Sequence, residues 1–197
     1  MTTEASPDSV LQTCDYILSR LTTYFGSRPD HFSSFIDGGV KGHGWFPSEA
    51  YVALTSPISR RNVKILVVRG PAQGEAKFNP DLEIGISGEA HQLAIVPVLT
   101  SADEPLAHQI EKELPEIFLW LDKMKERSII YLLAFPGGLS DEGWKAGLAK
   151  AEELYRAKPV GQMQFVIPRP PRQMVWASAA VLIHASRMPE PPLTEGK

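Results

Sequence analysis

Four side chains near the middle of the chain have the right types for metal-assisted hydrolysis. Asp81, Glu83, Glu89 and His91 lie on or just beside two extended apolar runs, 82–86 and 92–98, with Ser87-Gly88 at or near the turn between them. Side chains alternate along a strand, so Asp81 shares a face with Glu83, and Glu89 shares a face with His91. A hairpin that brought the two pairs together would offer a divalent cation several hard ligands. A carboxylate or His91 would then act as general base toward a metal-bound water. The same alternation is also the ordinary solvated face of a hairpin. The nuclease pattern of an acid followed by Glu-x-Lys is absent, because 93–98 holds no lysine.

A second candidate is the glycine-rich stretch 37–48, where Gly38, Gly39, Gly42 and Gly44 surround Lys41, His43, Trp45 and Phe46. Glycines let a backbone approach a ligand closely, but the spacing matches neither phosphate-binding glycine pattern. Two readings remain. Trp45 and Phe46 tuck into the core, or Lys41, His43, Trp45 and Phe46 form a partner-binding loop with Trp45 as aromatic anchor. A third candidate is Arg169 with Arg172, on a turn stiffened by Pro168, Pro170 and Pro171. Two guanidinium groups so placed could grip an anion or nucleotide, or simply solvate a hairpin tip. Gly85-Ile-Ser-Gly-Glu89 looks like a nucleophile elbow cut short, since Glu89 stands where the turn requires a second glycine.

The remaining chemistry-bearing residues are scattered. No two histidines show the i, i+4 spacing of a helical zinc site. The single cysteine, Cys14, excludes an intramolecular disulfide and falls on the apolar side of the first helix, where a small core residue is expected. The net charge is −3, from 20 basic and 23 acidic residues spread over both halves, so no nucleic-acid face is advertised. Hydrophobic residues at 43% and charged residues at 22% are ordinary for a globular chain. No apolar run reaches the roughly 20 residues of a membrane helix. With no signal-peptide pattern and one cysteine, a cytoplasmic location is expected.

These residues need elements to position them. Apolar spacing of three and four predicts a helix from Asp8 to about Phe25, a helical turn over 30–36, a helix over 103–127 kinked or split at Pro115, and a helix capped by Ser140 running to about 157. Strands are expected at 51–55, 63–68, 82–86, 92–98, 129–135 and 162–167. Residues 174–184 mix strand and helix formers and read as a strand completing the sheet. The fold class is therefore α+β: one domain over 8–187, a mixed or antiparallel sheet flanked by about three helices, and disordered ends at 1–7 and 188–197.

Residues 63–98, with a strand, a Gly-Pro loop, Glu83-Ile-Gly-Ile-Ser-Gly88 and a further strand, resemble bacterial suppressor-of-fused-like domains, and the following helix and the Phe135-Pro136 strand end fit the same order. No residue role carries over from that resemblance. The function expected is a non-catalytic protein-binding or accessory module, adaptor-like or immunity-like, that docks on another protein and uses no cofactor. A metal-dependent hydrolase and an anion- or nucleotide-binding domain are the alternatives.

Overall fold

The computed structural model describes residues 7–38, 44–55, 63–68, 78–86, 89–169 and 173–188, apart from the side chains of 7–9, 63–68, 86 and 169. The chain is an α+β protein on one mixed sheet. Its helices are α1 (Pro7–Gly26), α2 (Pro29–Gly38), α3 (Trp45–Thr55), α4 (Leu106–Lys112), α5 (Pro115–Lys123) and α6 (Glu142–Tyr155). Its strands are β1 (Val63–Val68), β2 (Leu82–Ile86), β3 (Glu89–Leu99), β4 (Ser128–Phe135), β5 (Ala157–Arg169) and β6 (Gln173–His184). The sheet order is β1-β2-β3-β4-β6-β5. Among the described strands only the neighbours β3 and β4 run parallel, and the crossover between them carries α4 and α5. Among the described residues no helix is long and apolar enough to cross a membrane.

Two helical layers cover the sheet. Leu93, Ile95, Tyr131, Leu133, Phe135, Ala179 and Val181 face α1, α2 and α3, while Ala94, Val96, Ile130, Leu132, Ala180 and Leu182 face α4, α5 and α6. Every residue of β4 is buried, which explains why 128–135 is apolar without alternation. On α1, Val10, Cys14, Ile17, Leu21 and Phe25 are buried at the spacing of one helical face. Burial pushes the Cys14 thiol up to about 12, so it carries no thiolate at neutral pH and acts as a core residue.

The stretch 51–55, expected as a strand, is the end of α3. Phe46, Ala50, Ala53 and Leu54 are its buried residues, and they recur at helical spacing. Val52 and Thr55 suggested a strand, but Val52 faces outward and does not decide the packing. More helices form than the three expected. Glycine and proline end α1 and restart the chain as α2, and Pro115 splits 103–127, sitting at the first turn of α5 where its missing N–H costs nothing. The cap of α6 is Asp141 rather than Ser140: its Oδ1 accepts from the Gly143 N–H at 2.8 Å.

Candidate binding surface

The residues expected to do chemistry do not converge. Ile84 pairs with His91 and Glu83 with Gln92 across the β2–β3 hairpin, so Glu83 and His91 lie on opposite faces. His91 is buried under the α1–α3 layer, its Nδ1 lying 3.4 Å from the Arg187 guanidinium and its Nε2 3.7 Å from the Glu89 carboxylate. A fixed cation thus already stands beside the imidazole. Asp81 has a different task. β2 starts at Leu82, which pairs with Leu93, so among the described residues β3 runs on without a strand partner on that side. The Asp81 carboxylate extends the ladder by accepting from the Ile95 N–H at 2.6 Å. Two residues further on, Pro97 has no N–H to satisfy. Among the described residues no three His, Cys, Asp or Glu side chains gather as metal ligands, and within the set Asp81, Glu83, Glu89, His91 the pairing puts Glu83 and His91 on opposite faces.

Of the four residues expected in a partner-binding loop, the structure describes Trp45 and Phe46. Phe46 is 0% exposed and is a core residue, while the partly buried Trp45 ring packs on Phe25, Phe32, Phe35 and Phe46 at the edge of that core. Lys41 and His43 lie outside the described residues. So do Arg172 and the side chain of Arg169, whose backbone ends β5 opposite Gln173. Gly85 and Glu89 belong to adjacent antiparallel strands and not to a strand-to-helix turn, so no nucleophile elbow forms.

A different surface emerges where β3 and β4 end. Both strands stop at the same edge of the sheet, Leu99 opposite Phe135, and the chain leaves each toward a helix on the same side. Between the two exits lies a cleft of about 370 Å3, lined by Thr100, Ser101, Pro105 and Leu106 on one side and by Pro136, Gly137, Asp141 and Trp144 on the other. The walls are tied together. The Thr100 N–H donates to the Phe135 carbonyl at 3.0 Å, and the Thr100 hydroxyl donates to the Pro136 carbonyl. Gln109 Nε2 donates to the Leu99 and Glu104 carbonyls at 2.9 and 3.0 Å, holding the loop after β3. Trp144 Nε1 donates to Gln162 Oε1 at 2.9 Å, fixing the indole. The cleft is therefore formed before anything enters it.

The base of the cleft depends on one glycine. A Cβ on Gly147 would lie 2.5 Å from Leu106 Cγ, so only glycine lets α6 approach α4 this closely. Gly147→Ala gains intrinsic helix propensity but overpacks Leu106. A net loss of about 1–2 kcal/mol in urea unfolding is expected. A gain in stability would mean that α4 and α6 are not packed as closely as described.

Beside the cleft, β5 and β6 run past the end of β4 as a free hairpin. β6 pairs with β4 only over 178–182, whereas it pairs with β5 up to Gln173. One face of this extension is covered: Phe165 packs on Phe32 of α2, and the Ser33 hydroxyl donates to the Pro168 carbonyl at 3.0 Å. The other face continues the row of Ala180 and Leu182 beyond the reach of α4 and α6. Val166 opposite Trp176 and Pro168 opposite Met174 form it. Met174 is 72% exposed and Trp176 is 46% exposed. The patch joins the cleft directly, since the Gly137 N–H donates to the Trp176 carbonyl at 2.6 Å and Gly137 lines the cleft.

Sequence reasoning missed this surface. The available signal was the apolar character of both parities in 174–177 next to a proline-stiffened turn. Which parity stays bare depends on where β4 stops, which is a long-range fact. No known protein family, no curated protein and no solved structure matches the chain, so the surface is read from its own chemistry.

Proposed function

We propose that this protein is a non-catalytic binding module that docks another protein on the cleft at the ends of β3 and β4 and the bare face of the β5–β6 hairpin. The observation that carries the reading is the pairing of Met174 and Trp176, both large, apolar and well exposed, with a preformed cleft alongside. Single exposed apolar residues are ordinary, but a contiguous apolar patch beside a concavity marks an interaction site. Tryptophan is the residue type most enriched at interface hot spots, and methionine adapts to varied partners. The hydrolase alternative has lost the convergence of its ligands. The anion-binding alternative rests on Arg172 and the side chain of Arg169, which lie outside the described residues.

The test is site-specific photo-crosslinking in cells that naturally make the protein. With Met174 replaced by benzoylphenylalanine, one discrete protein adduct is expected, and it weakens when Trp176→Ala is added. The same probe at Glu153, near the far end of α6, should give none. Identical adducts at both positions, or none at 174, would overturn the reading.

A further inference from the structure

We infer that the segment docked on this surface is cationic and apolar: an extended peptide in which lysine or arginine alternates with large aliphatic side chains. The inference rests on the docking reading above and names its occupant. The cleft wall is mainly apolar, and Leu106, Pro105, Pro136, Ala134 and Trp144 shape a hollow that suits a branched aliphatic side chain. Its rim is predominantly acidic, with Lys145, next to Trp144, as the one basic neighbour in sequence. Asp141 lines the cleft, and Asp103, Glu104 and Glu142 each adjoin a lining residue in sequence; all four are exposed. No lining residue is basic. Asp141 Oδ1 is occupied by the Gly143 N–H, which pins the carboxylate in place at the rim. Four exposed carboxylates against the single Lys145 ammonium, around a low-dielectric hollow, leave a net negative rim that favours a positively charged visitor and disfavours an acidic one. The hairpin face adds a second apolar seat. Val166, Pro168, Met174 and Trp176 extend the contact beyond what a single small molecule in the hollow would use, so a peptide fits better than a metabolite.

The probe is a fluorescein-labelled hexapeptide alternating lysine and leucine, compared with a glutamate–leucine and a lysine–serine counterpart by fluorescence anisotropy. Binding is expected for the lysine–leucine peptide alone, weakening about tenfold between 50 and 300 mM salt as the rim charges are screened. A variant with Asp103→Asn, Glu104→Gln, Asp141→Asn and Glu142→Gln keeps side-chain shape, and asparagine still caps α6. It should bind about tenfold more weakly and show little salt dependence. Trp176→Ala should weaken binding with the salt dependence retained. Equal binding of the glutamate–leucine peptide, or undiminished binding by the neutralised variant, would overturn the inference. So would leucinamide competing as well as the peptide, which would make the hollow a small-molecule site. An adduct at position 174 without lysine–leucine binding would sink the occupant and leave the docking surface standing; loss of the adduct would sink both.

Discussion

Phe46→Ala is expected to lower stability by about 3–5 kcal/mol, the largest effect of any single side chain considered for function. The ring is fully buried where α3 meets α1, α2 and the sheet. It lies 5.3 Å from Phe25, 5.6 Å from Phe32, 4.8 Å from Trp45 and 5.9 Å from Phe135, measured between ring centroids. Edge-on and tilted pairs of this kind add to the area term. The neighbours come from four elements and are held elsewhere. Thr22 and Tyr131 share a buried hydrogen bond of 3.1 Å, and Glu49 accepts from the Tyr24 hydroxyl at 2.6 Å while pairing with Arg28 at 3.2 Å. They cannot all collapse into the space vacated, so a cavity term is added to the transfer term. The gain in helix propensity from alanine, a few tenths of a kcal/mol, does not offset it. Urea unfolding of the variant measures the effect. A loss under about 1 kcal/mol would mean that α3 is not seated on the sheet. Trp45→Ala should cost less, because that ring is only partly buried.

The second large effect concerns pH. Burial raises the Asp81 carboxyl from 3.8 to about 6, against the pull of the Ile95 N–H that holds its charge. Burial lowers His91 from 6.5 to about 4, and the charges of Arg187 and Arg127 push the same way. Folding therefore favours the protonated form of Asp81. Its contribution to stability is complete below pH 3.8 and is lost as pH rises through about 6. Folding favours neutral His91, whose contribution is complete above pH 6.5 and is lost as pH falls toward about 4. Each spans about 3 kcal/mol, in opposite directions over nearly the same window. In the native protein the two largely cancel. Asp81→Asn keeps an acceptor for the Ile95 N–H and removes the buried charge. It should be about 2–3 kcal/mol more stable than wild type at pH 7, with the advantage vanishing near pH 4. His91→Gln should show the reverse tilt, becoming relatively more stable on acidification. Urea midpoints from pH 4 to 7.5 test this. Parallel curves for wild type and Asp81→Asn would show that Asp81 is solvated in the folded protein.

How much of this the sequence carried depends on how local each feature is. The split at Pro115, the strand at 128–135 and the strand at 173–184 follow from proline chemistry and apolar runs, which act within a few residues. The helix at 51–55 was hidden because its pattern is shared with Phe46, across what read as a loop. The acidic hairpin was decidable in principle. When two residues close a hairpin, as between the paired Ile86 and Glu89, odd positions on one strand oppose even positions on the other. Asp81 and Glu83 therefore had to leave the face of Glu89 and His91 once the turn was placed at Ser87-Gly88. The Asp81 carboxylate standing in for a strand residue, and the bare face of Met174 and Trp176, depend on where neighbouring strands end. Periodicity does not report that.

The sheet order also sets how the chain comes together. β1, β2 and β3 join their neighbours through successive sequence connections, and β5 and β6 form a hairpin of their own. Only β4 unites the two groups, through one long crossover and one antiparallel pairing. Two units of low sequence separation therefore wait on a single non-local step. Until β6 docks, β4 offers eight uncharged residues, Ser128–Phe135, with one open edge. Native pairing closes that edge only once the chain has been made as far as residue 182, so synthesis of the β5–β6 hairpin is also what shields this uncharged, aggregation-prone strand.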